Sequence, residues 1–245
     1  MRITIVDTEK EFFKLMAWRI AVEITNAPDA LFGFSTGRTT GGIHACLAEI
    51  YKEYKFDTSA MTVFGLDEIT NVSRDFSGSC YYMLLNEVIK PLSIPLENFL
   101  MPSTYSDDFF KECRNYEKAI SKYGQAFLQI LGIGENGHIG FNQPGSPFGG
   151  TTWVSRMDEE LDKRIRRETG SSADADLGGL TLGIKNIMQS KKILLAANGK
   201  RKAQIIRDAL LGPVTEDVPA SILQLHPDCE VILDAGAAEI IKLEI

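Results

Sequence analysis

The sequence predicts an α/β protein of the doubly wound, Rossmann-like type, with a mostly parallel sheet and one domain over residues 1–245. Short apolar runs that resemble buried strands recur along the chain. Most of them lead into a polar or glycine-rich loop and then into residues with helical spacing. A repeated order of strand, loop and helix is typical of a parallel sheet covered by helices on both faces.

The N-terminal part of the chain shows this order most clearly. Residues 1–7 are expected to form a strand, and the apolar positions within 13–24 fall at the spacing of one helix face. A second strand at 30–34 should lead into the polar glycine loop 35–42. A helix should then continue to about Tyr54.

The same order recurs in the rest of the chain. Strands are expected at 61–66, 127–131 and 193–197, each followed by a loop or helix that carries polar groups. Residues 146–176 interrupt the pattern as a polar, charged insertion. The part of it near 150–176 is expected to form a helical lid.

Composition limits the class of partner. Hydrophobic residues make up 44% of the chain and can form a sizeable core, while a net charge of −7 disfavours binding to a phosphate backbone. We therefore expect no nucleic-acid partner. No apolar run approaches the roughly 20 residues of a membrane helix, and the N-terminus lacks the pattern of a signal peptide. The expected location is cytoplasmic, with no membrane partner.

The cysteines give no indication of a metal centre or a disulfide framework. They are widely scattered, without a CxxC pair or a cluster of histidines nearby. We expect reduced thiols and no metal. The four positions are Cys46, Cys80, Cys113 and Cys229.

The segment 128–144 is the most informative one for function. An apolar run opens into a glycine-rich loop that carries Asn136, His138 and Gln143. The glycines allow tight turns, and the polar groups would lie at the carboxyl end of a parallel strand, where ligands bind in such sheets. A lone Gly-His pair is more often an ordinary turn with a hydrogen-bonded histidine. Here two further loops are expected at the same edge.

The loop 35–42 is suited to a phosphate group. It offers hydroxyls, backbone amides and a helix N-terminus. It lacks the GxxxxGK[ST] pattern, and the chain has no clear GxGxxG dinucleotide motif, so a non-nucleotide phosphate fits better. A cation from the run Lys200-Arg-Lys202 could complete the phosphate site, although such a run is equally often just solvated.

An acidic pair follows the expected strand 61–66. Asp67 or Glu68 could supply a general base beside an acid-base histidine. Alone, such a pair would more often cap a helix.

Together these segments resemble the glucosamine-6-phosphate deaminase family, within the wider group that includes 6-phosphogluconolactonases. The resemblance implies an enzyme that opens the ring of an amino-sugar phosphate, isomerises the aldose to a ketose through an enol-type intermediate and releases ammonia without a cofactor. It covers nearly the whole chain. The matching segments are Ser35-Thr-Gly-Arg-Thr39, Gly65-Leu-Asp-Glu68, Gly132 to Pro144, Leu180-Thr-Leu-Gly183, Gly199-Lys-Arg-Lys-Ala203 and Pro219 to His226.

The resemblance also implies roles for individual residues. Asp67 resembles the base that moves a proton between C2 and C1, and His138 resembles the acid that opens the ring. Lys202 resembles the lysine of the phosphate site, and Arg167 resembles an arginine of the lid that reaches the same phosphate. The other candidates for contact with the phosphate or the rest of the substrate are Ser35, Thr36, Gly37, Arg38, Thr39 and Gly137.

Several positions depart from the family pattern. Two acidic side chains flank the histidine in well-known deaminases, and Asn136 and Gln143 stand there in this chain. Asn at the first position is a known variation. Gln at the second removes a charge that would stabilise a protonated imidazole, so weakened or redirected catalysis is expected. Arg38 replaces a small residue of the phosphate loop, and Cys80 replaces a frequent tyrosine.

Three functions remain open from the sequence. The first is conversion of glucosamine or galactosamine 6-phosphate to a ketose 6-phosphate and ammonia. The second is a sugar-phosphate isomerase or lactonase that releases no ammonia; Asp67 and the motif Gln224-Leu-His-Pro227 favour the deaminase branch over the lactonase one. The third is a regulatory protein that binds a sugar phosphate with little turnover. All three have a small-molecule sugar phosphate as partner, and a homo-oligomer is left open.

Overall fold

The computed structural model describes residues 1–157 and 159–244. Within them the chain forms a central parallel sheet of seven strands and a smaller antiparallel sheet of three. The strands are β1 Arg2–Val6, β2 Leu31–Phe34, β3 Thr62–Gly65, β4 Asp67–Ile69, β5 Phe99–Leu100, β6 Leu128–Gly132, β7 Trp153–Ser155, β8 Gly179–Thr181, β9 Lys192–Ala197 and β10 Cys229–Asp234.

Local sequence features mark the N-termini of the first two helices. Thr8 and Glu11 form a reciprocal capping box at the start of the first helix, so two backbone N–H groups are satisfied there. The second helix begins directly after Gly37. The α-helices are α1 Glu9–Asn26, α2 Arg38–Tyr54, α3 Cys80–Leu84, α4 Phe109–Ser121, α5 Glu159–Thr169, α6 Ile184–Met188 and α7 Ala203–Leu211.

The strand order of the central sheet creates a switch point between β2 and β6. The order is β1-β10-β9-β6-β2-β3-β5, so the chain proceeds from β2 towards one edge and from β6 towards the other. The two strands are direct neighbours, with Phe32 opposite Leu128. Connections that leave in opposite directions open a crevice outside the carboxyl ends of the strands. The loops after β2 and β6 border that crevice.

Side-chain alternation along the strands builds a core on each face of the sheet. Phe32 and Phe34 point to the face covered by α1 and α2. Leu31 points to the other face, which α4, α6 and α7 cover. Successive side chains of a strand point to opposite faces, so a short apolar run serves both cores. Each fully buried large aliphatic or aromatic side chain stabilises the fold by about 1.5–3 kcal/mol.

The smaller sheet lies beside the central one in the order β4-β8-β7. Thr181 of β8 lies opposite Asp67 on one side and opposite Trp153 on the other. Leu66 forms the junction between the sheets, because its N–H donates to Phe34 of β2 and its carbonyl accepts from Leu182, just after β8.

The predicted α/β fold with a mostly parallel sheet is confirmed, and its expected strands are present. Two details differ from the expectation. The strand expected at 61–66 ends at Gly65, and the acidic pair after it belongs to the antiparallel sheet. The described residues of the segment 150–176, which leave out residue 158, include the strand β7 as well as the helix α5. In the described part of the chain, no helix is long and apolar enough to cross a membrane.

Candidate active site

The loop after β2 presents hydroxyls and a helix start to the crevice. Gly37 has φ +141°, a conformation that side-chain-bearing residues rarely adopt, and it precedes the first residue of α2. The hydroxyl of Ser35 is buried and has no hydrogen-bond partner within the described residues. Thr39 donates to the Oδ1 atom of Asn198 over 2.7 Å. The loop is therefore held to the end of β9 and keeps a buried hydroxyl available for an anion.

The three cations after β9 differ in their surroundings. Lys200 is exposed and contacts Glu239 at 2.8 Å, and Arg201 is exposed and contacts Glu135 at 3.5 Å. Lys202 is partly buried, and its Nζ donates to the carbonyl of Ile133 over 2.6 Å. Lys202 is thus the cation that points towards the start of the histidine loop.

The electrostatics at Lys202 favour an anionic ligand. Burial lowers the pKa of its ammonium, the nearby carboxylate of Glu135 raises it, and the positive charges of Arg201 and Arg38 lower it further. Arg38 is the exposed first residue of α2, so its cation lies beside the loop after β2. Two cations that repel each other beside a helix N-terminus gain free energy when a phosphate lies between them.

Asp67 is a buried carboxyl at the start of β4. Its pKa is raised to about 7, chiefly by burial; a hydrogen bond from Cys80 lowers this pKa, and the neighbouring carboxyl of Glu68 raises it. The thiol of Cys80 donates to Oδ1 of Asp67 over 3.6 Å, and it accepts from the hydroxyl of Thr36 over 3.3 Å. A carboxyl with such a pKa can take up and return a proton near neutral pH.

Glu68 has a structural task instead. Its Oε1 accepts from the backbone N–H groups of Ile69 and Cys80, each over 2.8 Å, and its Oε2 accepts from Tyr81 over 2.7 Å. Two of these N–H groups begin α3. From the sequence, either a helix cap or a catalytic base was possible for the acidic pair. In the structure Glu68 caps the helix α3, and Asp67 lies beside the thiol of Cys80.

Amide groups hold the histidine of the loop after β6. Oδ1 of Asn136 accepts from the backbone N–H of His138 over 3.2 Å and lies 2.7 Å from its ring Nδ1. Nδ2 of Asn136 donates to Oε1 of Gln143 over 2.9 Å. The two residues that replace acidic ones therefore form one chain of amides to the imidazole. Since Oδ1 of Asn136 accepts only, Nδ1 carries the proton in this arrangement.

Backbone shape fixes the same loop. A Cβ atom on Gly134 would lie 2.3 Å from the ring of His138, which leaves no room for any other residue. Gly137 has φ +88°, and its carbonyl accepts from Ala220 over 2.9 Å. The backbone N–H of Phe141 donates to the hydroxyl of Thr181 over 3.2 Å. The loop is thereby tied to the smaller sheet that carries Asp67.

The helix α5 packs close to both of these segments. Its buried Ile165 shares a small apolar cluster with Ile69, which follows the acidic pair, and with Phe141 of the histidine loop. Arg166 is held by both carboxylate oxygens of Asp162. Arg167, the predicted lid arginine, is exposed in the last turn of α5.

The candidate residues thus fall on one edge of the structure, with Arg167 on a neighbouring helix. Sequence reasoning missed Asn198, which anchors the phosphate loop, and it noted Cys80 only as a departure from the family. Asn198 could have been suspected from its place at the end of a strand. No group of three or more His, Cys, Asp or Glu residues that could hold a metal ion occurs among residues 1–157 and 159–244.

A cavity of about 520 Å³ lies elsewhere. The end of α4 and the residues just before β6 and β9 form it, including Gln125, Ala126 and Lys191. These segments enter the central sheet at the amino ends of its strands. The cavity contains none of the candidate residues in its lining, as far as the described chain shows. The chemistry points to the crevice at the carboxyl ends.

The chain is similar to known proteins over nearly its whole length. The model of the family described as glucosamine-6-phosphate isomerases/6-phosphogluconolactonase matches residues 7–232. A glucosamine-6-phosphate deaminase of Clostridium botulinum strain Langeland is 38% identical over 244 residues, which cover 100% of both chains. A glucosamine-6-phosphate deaminase of Thermoanaerobacter pseudethanolicus is 36% identical over 100% of this chain and 96% of its own.

Solved structures extend these comparisons. The structure of a monomeric glucosamine-6-phosphate deaminase has a TM-score of 0.91 and 34% identity, and the match covers 98% of this chain and 100% of that one. A 6-phosphogluconolactonase from Trypanosoma cruzi has a TM-score of 0.77 at 20% identity, over 97% of this chain and 96% of its own. The second match shows a shared fold.

Proposed function

The chain belongs to the family of glucosamine-6-phosphate isomerases and 6-phosphogluconolactonases, and on that premise we propose that it converts a hexosamine 6-phosphate and water to a ketose 6-phosphate and ammonia. The observation that carries the proposal is the buried Asp67, whose pKa lies at about 7 because burial disfavours its charge. A base with a pKa near the working pH is best placed to remove a proton from carbon and return it.

Phosphate binding would come first. The loop after β2 offers the free hydroxyl of Ser35 and the N-terminus of α2, and Lys202 and Arg38 supply positive charge beside it. Charge-assisted bonds to these groups would fix one end of the substrate. The other end would then extend towards Asp67 and His138.

His138 would open the sugar ring. The protonated imidazole would give a proton to the ring oxygen as the bond from that oxygen to C1 breaks, and the neutral imidazole would then take the proton of the C1 hydroxyl, which gives the open aldehyde. Nδ1 lies 2.7 Å from Oδ1 of Asn136, and we assign the transferred proton to the other ring nitrogen, Nε2. The amide of Gln143 orients Asn136, which keeps the ring direction fixed.

Asp67 would then carry out the isomerisation. The C2 proton of the open aldehyde is acidic because the electron pair left behind delocalises into the C1 carbonyl. Asp67 takes this proton while the C1 oxygen gains one, which forms an enol-type intermediate. Asp67 then returns its proton to C1 while the nitrogen at C2 loses one. The product has an imine at C2, which water hydrolyses to the ketone with release of ammonia. Each proton that the carboxyl gains is given back, so no cofactor is needed for the balance.

The segment 150–176 would act as a lid. Ile165 of its helix α5 shares an apolar cluster with Ile69 at the end of β4 and with Phe141 of the histidine loop, and Arg167 in the last turn carries a cation that could reach a bound phosphate. Substrate should therefore slow amide hydrogen exchange in α5. Exchange in α4, a helix of similar length, provides the internal comparison. An unchanged rate in α5 under saturating phosphosugar would remove the lid from the proposal.

The direct test is ammonia release over a panel of phosphosugars. Glucosamine 6-phosphate and galactosamine 6-phosphate differ only at C4 and reveal which epimer is the substrate. Glucose 6-phosphate tests an isomerase without ammonia release, and 6-phosphogluconolactone tests a lactonase. We expect ammonia and a ketose in equal amounts from at least one hexosamine. Tight binding of the panel without any turnover would support the regulatory alternative and refute the proposed reaction.

A further inference from the structure

The thiol of Cys80 bridges the phosphate loop and the buried carboxyl. Its sulfur accepts from the hydroxyl of Thr36 at 3.3 Å and donates to Oδ1 of Asp67 at 3.6 Å. The side chain is buried, with 3% of its surface exposed. These two contacts connect the group expected to hold phosphate with the group expected to move the proton.

The backbone around the thiol leaves it little freedom. Cys80 is the first residue of α3, and its N–H donates to Glu68 over 2.8 Å. The preceding Ser79 caps the same helix by accepting from Tyr82 over 3.0 Å. These two caps hold the backbone from which the side chain of Cys80 extends. The sulfur is therefore positioned by this backbone and by its contacts with Thr36 and Asp67.

We propose that Cys80 is a positioning residue for the reaction, whose thiol holds Asp67 in the orientation and the ionised form that proton abstraction needs. This inference rests on the proposed function. A hydrogen bond from a neutral donor is stronger to a carboxylate than to a carboxylic acid, so it favours the charged base. Burial and the nearby carboxyls of Asp67 and Glu68 raise the pKa of the Cys80 thiol, which keeps the donor protonated.

Thr36 sets the direction of the thiol proton. Its hydroxyl donates to the sulfur, so a lone pair of the sulfur faces Thr36 and the S–H bond is left to point at Asp67. A methyl or hydrogen at this place would offer neither contact. A serine hydroxyl can both accept and donate, although it is shorter. The variants Cys80→Ala and Cys80→Ser therefore separate loss of the hydrogen bond from a change of side chain.

The experiment is the pH dependence of turnover for the wild type and both variants. In Cys80→Ala the carboxylate loses its donor, and a rise of about one unit in the midpoint of the acid limb would leave about fivefold less ionised base at pH 7. We expect kcat to fall by that factor while KM for the phosphosugar stays within about twofold. Cys80→Ser should return the midpoint of the acid limb towards that of the wild type. Cys46→Ser, at a half-buried thiol of α2, is the control.

A purely structural role predicts a different result. Lower stability with an equal loss of activity at every pH would overturn the proposal, as would an acid limb that stays in place in Cys80→Ala. A direct titration of the Asp67 carboxyl by carbon NMR in the ligand-free protein decides the matter without turnover. If the wild type released no ammonia, the proposed function would fail, and this titration would still test the contact between Cys80 and Asp67.

Discussion

Replacement of Asp67 by Asn should abolish proton transfer and stabilise the protein at alkaline pH. The folded state holds the Asp67 pKa at about 7, against an ordinary value of 3.8. A carboxyl with a raised pKa binds its proton more tightly when folded than when unfolded. Stability is therefore highest when the group is protonated and falls as pH rises from about 4 to about 7.

The size of the effect follows from this interval. Each unit of pKa difference corresponds to about 1.4 kcal/mol, and roughly three units separate the two states. Above pH 7 the wild type therefore loses up to about 4 kcal/mol to the buried charge. Asparagine has almost the same shape and no charge, and its Oδ1 can still accept from Cys80. Relaxation around the charge makes about 4 kcal/mol an upper bound.

Chemical unfolding at two pH values measures the difference. At pH 8 the Asp67→Asn variant should unfold at a higher urea concentration than the wild type, whereas near pH 4 the two should agree closely. Asp107→Asn, the same substitution at an exposed position before α4, should change the stability little at either pH. In parallel, Asp67→Asn should bind phosphosugar and show no exchange of the C2 proton with solvent.

Two outcomes would refute the reasoning. A variant whose stability relative to the wild type did not increase between pH 4 and pH 8 would show that burial does not raise this pKa. Full exchange of the C2 proton in Asp67→Asn would show that another group is the base. The first result concerns the electrostatics of the fold, and the second concerns the assignment of the mechanism.

Three further substitutions test the rest of the site. Lys202→Ala should weaken phosphosugar affinity roughly tenfold to a hundredfold, because a charge-assisted bond is lost. KM and inhibition by sugar phosphates measure the affinity, and Lys200→Ala, at an exposed lysine, should leave both unchanged. Gln143→Glu should extend activity to higher pH, because a negative charge near the amide chain favours the protonated imidazole; an unchanged pH profile would disprove that link. Gly134→Ala should displace the ring of His138 and lower kcat at least tenfold in a folded protein, seen by comparing turnover with circular dichroism.

Much of the fold was predictable because its local patterns agree with its tertiary structure. The buried strands β2, β6 and β9 are apolar runs bounded by glycine or polar loops, and both cores draw on alternate residues of the same runs. Repetition of strand, loop and helix then determined a parallel sheet. Since all strands of such a sheet end at one edge, the functional loops could be grouped before any distance was known.

The smaller sheet could not be predicted in the same way. β4, β7 and β8 have three residues each, too few for a recognisable alternation, and they pair across long sequence separations. Asp67 and Glu68 are adjacent and chemically alike. Only their partners in the folded structure distinguish them: Asp67 lies beside a thiol, and Glu68 caps a helix. Lys200 and Lys202 are the same residue type and differ only in their burial and their partners. Such distinctions depend on packing, which composition and spacing do not encode.

The antiparallel register of Asp67, Thr181 and Trp153 would separate the movement of the lid from the chemical step. Trp153 also donates to Asn142 of the histidine loop over 3.0 Å, so the small sheet joins the acid, the base and the root of α5. The proposed lid helix α5 begins only after the last strand residue of this small sheet in that part of the chain, Ser155. Movement of this lid would then leave Asp67 and His138 in place. The site would stay preorganised through each catalytic cycle. Sequence change in α5 could retune substrate exchange while the chemical step stays intact.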